Sequence, residues 1–139
     1  MVKKLIFILS CFIVLLPYDP CSGTGTVKEM HDNKTINVNK QDNGKEIGVK
    51  CGDMIRLELT EMGGAGYSWY VEHLNTEYLD LLSKETKVIS EGKVGAPVMG
   101  VWLFRTKKKG AAEIKTDHYR IWEGKEKATE HFSIKILIQ

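Results

Sequence analysis

Cysteine and histidine side chains are the groups of this chain that could act as nucleophile, base or metal ligand. The sequence has three cysteines and four histidines, which are Cys11, Cys21, Cys51, His31, His73, His118 and His131. No two histidines stand four residues apart and the acidic residues near them form no cluster, so the spacing lacks the pattern of a metal site. The sequence therefore predicts neither a metal nor another cofactor.

Cys51 is the cysteine that could serve as a nucleophile in a folded domain, with His73, His118 or His131 as its base. It stands in a predicted turn at residues 50–53, without the glycine elbow of a nucleophile and with no histidine at an informative spacing. Because a lone cysteine most often behaves as a small apolar residue, we expect an unpaired thiol rather than a disulfide framework. The chain is predicted not to be an enzyme, and no residue is predicted to be catalytic.

The N-terminal segment has the layout of an export signal. Lys3 and Lys4 precede an apolar run over residues 5–16, which is shorter than the roughly 20 residues of a membrane-spanning helix. We expect a signal peptide over residues 1–23 and a domain over residues 24–139, exported to the outside, the periplasm or a secretory lumen. A buried N-terminal helix, or a lipid anchor on Cys11 or Cys21, fits the sequence less well.

Composition limits the remaining classes of function. At 139 residues, with 42% hydrophobic and 27% charged side chains, the chain has the make-up of one globular domain. A formal net charge of +2 argues against a nucleic-acid partner, and the three lysines at 107–109 precede a glycine, as in a solvated hairpin tip. We expect a monomer without a permanent transmembrane span.

Alternation of apolar and polar residues predicts the elements that position any site. It runs through residues 36–38, 54–60, 67–71, 101–105, 111–120 and 132–138, with a short apolar piece at 88–90. Such alternation between turn signals is typical of half-buried strands, so we expect an all-β, immunoglobulin-like antiparallel sandwich of about seven to eight strands. Apolar residues at roughly helical spacing over 74–83 predict one short turn or helix as a connector, and Trp69 is expected in the core.

Three predicted loops have unusual compositions. Residues 62–66 contain three glycines in five, residues 92–100 are apolar and rich in glycine, and residues 119–124 contain Arg120 and Trp122. Arginine and tryptophan are enriched at binding hot spots, and grouped apolar loop residues indicate interaction. Structural roles without a binding function are the alternatives. The first loop could be only a strand crossover, and the Arg/Trp pair of the third loop could only cover the end of the sandwich. Because these loops follow the second, fourth and sixth predicted strands, we expect them at one end of the sandwich.

The same residues resemble the chagasin-type inhibitors of cysteine peptidases. Gly66-Tyr67-Ser68-Trp69 is similar to the second half of that family's Asn-Pro-Thr-Thr-Gly-Tyr/Phe-x-Trp motif, Gly95-Ala96-Pro97 to its glycine-rich middle loop, and Arg120-Ile121-Trp122 to its Arg-Pro-Trp. The departures are residues 62–65 in place of Asn-Pro-Thr-Thr, Val98 where a further glycine is common, and Ile121 in place of proline.

The resemblance implies a reversible inhibitor that occludes the active-site cleft of papain-like cysteine peptidases with three loops. It implies that the peptidase-binding residues are Gly63, Gly64, Ala65, Gly66, Tyr67, Gly95, Ala96, Pro97, Val98, Met99, Gly100, Arg120, Ile121 and Trp122. The alternative is an exported adhesion or ligand-binding sandwich without inhibitory activity. An assay against a papain-like peptidase separates the two, because a mere binder leaves turnover intact.

Overall fold

The computed structural model describes residues 32–89 and 95–139. The expected signal peptide, its processing site and residues 90–94 of the middle loop lie outside the described residues. Within the two described ranges, no helix has the length and apolar character needed to cross a membrane.

The described chain forms two four-stranded sheets packed face to face. The strands are β1 Thr35–Asn39, β2 Glu46–Val49, β3 Met54–Glu61, β4 Ser68–Leu74, β5 Leu79–Val88, β6 Val98–Thr106, β7 Gly110–Tyr119 and β8 Glu130–Ile138. One sheet has the order β1-β3-β6-β5 and the other β2-β8-β7-β4. The remaining elements are three single 3-10 turns at Lys40–Asp42, Gly63–Ala65 and Lys125–Lys127.

The predicted all-β sandwich is confirmed, with a difference at two edges. The short strands β1 and β2 pair in parallel with β3 and β8, whereas the other pairings are antiparallel. The sequence pattern missed β2, because this strand is only four residues long and has only two apolar side chains, Ile47 and Val49. The predicted hairpin across residues 107–109 is wrong. β6 and β7 flank this turn, but β6 lies in one sheet and β7 in the other, so the turn crosses between the two sheets.

The expectation for residues 74–83 is correct for a turn and wrong for a helix. The backbone N–H groups of Tyr78 and Leu79 both donate to the Asn75 carbonyl at 3.0 Å, which closes a turn. β5 follows directly, and its register against β6 shifts between Leu81 and Ser83. This bulge places two adjacent leucines on a partly exposed edge, which breaks the two-residue period and imitates helical spacing.

Alternating residues of both sheets form one core. Its largest side chains are Trp69, Trp102, Phe104 and Phe132, each 2% exposed or less. The prediction that Trp69 lies in the core is therefore confirmed. Close packing of these side chains fixes the positions of the strand ends. The strand ends in turn position the loops that connect them.

Cys51 corrects one expectation about the cysteines. It lies in the turn between β2 and β3 and is disulfide-bonded, so the predicted unpaired thiol is wrong. It is the one cysteine within the described ranges, and its partner therefore lies outside them. Sequence spacing could not reveal this bond, because one of the two other cysteines falls inside the apolar N-terminal run and the other just after it.

Candidate functional site

Three loops meet at one end of the sandwich. We call them the first loop (residues 62–67, between β3 and β4), the middle loop (residues 89–97, between β5 and β6) and the third loop (residues 120–129, between β7 and β8). A Cβ atom on Gly64 would lie only 2.7 Å from Cα of Gly95, so the first and middle loops touch. Arg120 Nε donates to the Ala65 carbonyl at 2.9 Å, which joins the third loop to the first. The predicted convergence of the three loops is confirmed; together they form what we call the loop edge.

The first loop is a closed turn. Ala65 N donates to Met62 O at 2.9 Å and Gly66 N donates to Gly63 O at 3.0 Å, which forms a single 3-10 turn. Gly66 ends it in the left-handed region at φ 78°, where glycine is strongly preferred. A Cβ atom on Gly66 would overlap Cη2 of Trp122, so the ring of the third loop rests against bare backbone.

The middle loop is shorter than the sequence predicts. β6 begins at Val98, which pairs with Glu61 of β3 and Val88 of β5. The loop proper therefore keeps Gly95, Ala96 and Pro97, while Val98 and Met99 are half-buried strand residues. The composition alone could not set this boundary, because an apolar residue suits a strand as well as a contact loop.

Gly100 lies deeper still, inside β6. It is buried, and a Cβ atom there would lie 2.5 Å from Cη2 of the Trp102 ring and 2.8 Å from Glu61 Oε1. This glycine makes room for the large side chain of Trp102 beneath the loops rather than presenting a surface itself.

The third loop exposes a tryptophan beside a fixed arginine. The Arg120 guanidinium lies 4.4 Å from the Tyr67 ring centroid and 5.9 Å from that of Trp122, and it forms an ion pair with Glu123 at 3.1 Å. Trp122 is nevertheless 68% exposed and Ile121 is 61% exposed. The pair therefore does not cover the end of the core, because most of the indole surface remains in solvent.

A second set of contacts ties the third loop to β4. Lys125 Nζ donates to Glu72 Oε2 at 2.8 Å, and the Tyr119 hydroxyl donates to Glu72 Oε1 at 3.0 Å. The hydrogen bond to Glu72 raises the pKa of Lys125, while burial followed by the Glu72 hydrogen bond raises the pKa of Tyr119. Both groups keep their protons at neutral pH, so the tie persists there.

Below the first loop, Trp69 is fixed on three sides. Its backbone N–H donates to Glu61 Oε1 at 3.3 Å, its indole Nε1 donates to Thr60 O at 2.8 Å, and its carbonyl accepts from Lys84 Nζ at 3.3 Å. Lys84 also lies 5.2 Å from the Trp102 ring centroid, so its stem joins the edge strands of the two sheets. The strand that leaves the first loop therefore has a fixed starting point.

Exposed apolar side chains concentrate at the loop edge. Among the described residues, eight large hydrophobic side chains are exposed, and five of them border the three loops: Met62, Val88, Ile89, Ile121 and Trp122. The other three are Leu81, Leu82 and Leu137. Sequence reasoning missed Met62, Val88 and Ile89, although each stands next to a glycine-rich stretch. Grouped exposed apolar residues indicate a surface that another molecule covers.

His118, His131 and Cys51 are engaged in contacts within the fold. His118 is buried beside Thr129, His131 lies 2.7 Å from Asp117 on the outer face, and Cys51 is disulfide-bonded. No cluster of three or more metal-ligating side chains occurs within residues 32–89 and 95–139. What the loop edge offers a partner is apolar area, backbone polar groups and one arginine.

Comparison with known proteins agrees with this geometry. The family model described as chagasin family peptidase inhibitor I42 matches residues 48–136. Among solved structures, the cysteine protease inhibitor EhICP2 from Entamoeba histolytica superposes with a TM-score of 0.71 at 19% identity, covering 78% of this chain and 98% of that one. Amebosin gives 0.63 at 18% identity, covering 76% and 98%.

A third structure, PbICP-C in complex with falcipain-2, gives a TM-score of 0.59 at 14% identity and covers 77% of this chain and 100% of the other. No curated protein matches the sequence significantly. At these identities the superpositions show the fold, whereas the family model spans well over half of the 139 residues and covers all three loops. The chain therefore belongs to the chagasin family of peptidase inhibitors.

Proposed function

We propose that the loop edge is the surface with which this chain inhibits papain-like cysteine peptidases. The observation that carries the proposal is the direct contact among the three loops, through Gly64 and Gly95 on one side and Ala65 and Arg120 on the other. Three separate tips make a wedge only if they touch. The relative PbICP-C was solved in complex with falcipain-2, which supports a cysteine peptidase as the partner.

Occlusion of a cleft explains the composition of the edge. A papain-like site holds a reactive thiolate beside a histidine in a partly exposed groove. Glycine and alanine backbone can approach such a groove closely without placing a scissile carbonyl at the thiolate, so no covalent bond is needed. In this arrangement the middle loop, including Gly95, Ala96 and Pro97, crosses the cleft while the first and third loops brace its walls.

Trp122 and Arg120 are the proposed anchors. The indole is 68% exposed yet already seated on Gly66 and near the guanidinium, so little side-chain freedom remains to be lost on binding. An anchor that is ordered in advance lowers the entropic cost of association. Ile121, Met62, Val88 and the other exposed apolar residues would form the rim around it.

The test is a titration of the full chain against one papain-like peptidase, comparing Trp122→Ala with Leu137→Ala. Leu137 is also exposed, at 41%, but lies near the far end of β8. Truncating a hot-spot residue costs about 1 to 4 kcal/mol of binding energy, so Trp122→Ala should raise the inhibition constant by about fivefold or more. Leu137→Ala should leave it unchanged.

Equal inhibition constants for wild type and Trp122→Ala would remove the third loop from the contact surface. Complete absence of inhibition by the wild type would favour an adhesion or ligand-binding sandwich, because such a protein leaves turnover intact.

Export is part of the same proposal. The signal-like layout over residues 1–23 supports it. Secretion of the full chain by a suitable host, with loss of the N-terminal segment detected by mass, would test it.

A further inference from the structure

A column of stacked side chains runs from the core to the tip of the loop edge, and His118 is in the middle of it. The His118 ring centroid lies 4.8 Å from that of Trp69 and 5.3 Å from that of Tyr67. Tyr67 carries the Arg120 guanidinium at 4.4 Å on its ring, and Arg120 in turn holds the Ala65 carbonyl. Whatever moves the imidazole therefore changes the support of the first and third loops.

The hydrogen bonds around His118 fix which nitrogen carries the proton. The Thr129 hydroxyl donates to the His118 carbonyl at 3.2 Å, and this uses its one hydrogen. Its oxygen, 3.3 Å from His118 Nδ1, must then accept from an Nδ1–H group. Nε2 is left as a bare lone pair, and it is buried without a hydrogen-bond partner among the described residues.

A second proton on this ring would be poorly accommodated. It would create a buried Nε2–H group without an acceptor and a charge on a residue that is 4% exposed. Burial, the largest influence, accordingly lowers the pKa of His118 below its ordinary value of 6.5.

The charged groups around the ring only partly oppose this effect. Glu130 on β8, with Oε1 at 3.8 Å from Nδ1, and Glu61 at the end of β3 both favour the protonated ring. Lys40, from the 3-10 turn after β1, forms an ion pair with Glu130 and opposes protonation. On the β4 side the ring meets only uncharged aromatic rings, with the Arg120 cation beyond Tyr67.

We propose that His118 is the positioning residue of the loop edge and that full inhibition requires its uncharged ring. The proposal rests on the loop edge being the inhibitory surface. In the protonated state the imidazole must leave its place between Trp69 and Tyr67 to find an acceptor for Nε2–H. Tyr67 then loses the ring that supports it, and Arg120 loses its stacking partner. The first and third loops become less ordered, so ordering them on binding costs free energy.

The consequence is an inhibitor that weakens in acid. If the charged form does not bind, the inhibition constant rises by about tenfold for each pH unit below the pKa of His118. Because a peptidase has its own pH dependence, the quantity to compare is the ratio of inhibition constants for two inhibitor variants against the same enzyme at each pH.

The experiment measures these ratios from about pH 7.5 to about pH 4.5 for wild type, His118→Phe and His131→Gln. Phenylalanine keeps a flat ring in the column and cannot take a proton, whereas His131 is an exposed histidine beside Asp117, away from the column. We expect the ratio of wild type to His118→Phe to rise as the pH falls below the pKa of His118, approaching about tenfold per pH unit, and the ratio of wild type to His131→Gln to stay constant. The same pH profile for wild type and His118→Phe overturns the proposal.

An NMR titration of the wild-type chain alone provides a second readout, which decides the matter if His118→Phe does not fold. The His118 ring should titrate below 6.5, and signals of Tyr67 and Trp122 should shift with the same midpoint. Absence of that coupled shift also overturns the proposal. Lack of any inhibition at neutral pH would instead refute the proposed function, and the NMR titration would still test the positioning role.

Discussion

Replacing Gly66 by alanine tests the contact between the first and third loops most directly. The new methyl group would overlap Cη2 of Trp122 and lie 2.9 Å from its Cζ2 atom. Gly66 also has φ 78°, where a side chain adds strain of its own. Gly44 is a matched control, because it has φ 76° with nothing within 4 Å of its Cβ position. Gly44→Ala therefore reports the strain alone, about 1 kcal/mol.

The magnitude of the extra effect follows from the exposure of the indole. Trp122 is 68% exposed, so about a third of a side-chain surface of roughly 200 Å² is buried, corresponding to at most about 2 kcal/mol of folding free energy. The ring can swing into solvent at that cost. Gly66→Ala should therefore lose about 1 to 3 kcal/mol of stability and remain folded.

The loss in inhibition should be larger relative to the control. A displaced Trp122 no longer sits on the first loop, so Gly66→Ala should lose most of the effect of Trp122→Ala, about 1 to 4 kcal/mol. The assays are urea unfolding and inhibition constants for both glycine variants. A double variant, Gly66→Ala with Trp122→Ala, should inhibit no worse than Trp122→Ala alone, because the two changes act on one contact. Additive losses, or equal inhibition by Gly66→Ala and Gly44→Ala, would refute the reasoning.

Two further variants should separate stability from inhibition, because they lie at the opposite end of the sandwich. Asp53 is buried and accepts from the backbone N–H groups of Lys34 at 3.0 Å and Lys50 at 2.8 Å; Asp53→Asn should cost about 1 to 3 kcal/mol of unfolding free energy in a urea titration, with an unchanged inhibition constant. Cys51→Ser in the full chain should cost about 2 to 4 kcal/mol, again without weakening inhibition. Either variant should unfold more easily, but its folded form should still inhibit. Weaker inhibition by a variant that is still folded, at urea concentrations far below its unfolding midpoint, would contradict the placement of the inhibitory site at the loop edge.

The disulfide also restricts where the chain can be processed. Cleavage after Gly23 would remove Cys11 and Cys21, the two cysteines other than Cys51. An exported chain shortened at that position could not keep an intramolecular disulfide at Cys51. Cleavage at the end of the expected signal peptide and the disulfide-bonded state of Cys51 therefore exclude one another in the same molecule.

Much of the fold followed from the sequence because the core alternates regularly. Leu57 and Leu59 in β3, like Ile134 and Ile136 in β8, point into one core with polar residues between them, and that period of two is a direct consequence of strand geometry. The order of the three loops followed for the same reason, since alternate connections in such a sandwich return to the same end.

The features that the sequence did not reveal depend on pairing. The bulge after Leu81 and the start of β6 at Val98 are set by neighbouring strands. The local sequence of a segment does not specify which strands pair with it. The exposure of Val88, at 69%, has the same origin: it stands on an edge strand where the sheet ends. Nothing in the local composition distinguishes that valine from a core residue.

The glycines of the first loop show how the structure changes an interpretation. From composition, so much glycine near Gly64 and Gly66 predicts a backbone that passes close to another surface or adopts positive φ, and also a more flexible loop with a higher ordering cost on binding. The structure gives a steric reason: Gly64 admits the backbone of Gly95, Gly66 admits the ring of Trp122, and a hydrogen-bonded turn closes between them. Because any side chain at either position would force two loops apart, the glycines allow the loop edge to be compact before it meets a peptidase. The same residues that would loosen an isolated loop thus make it possible for three loops to act as one surface.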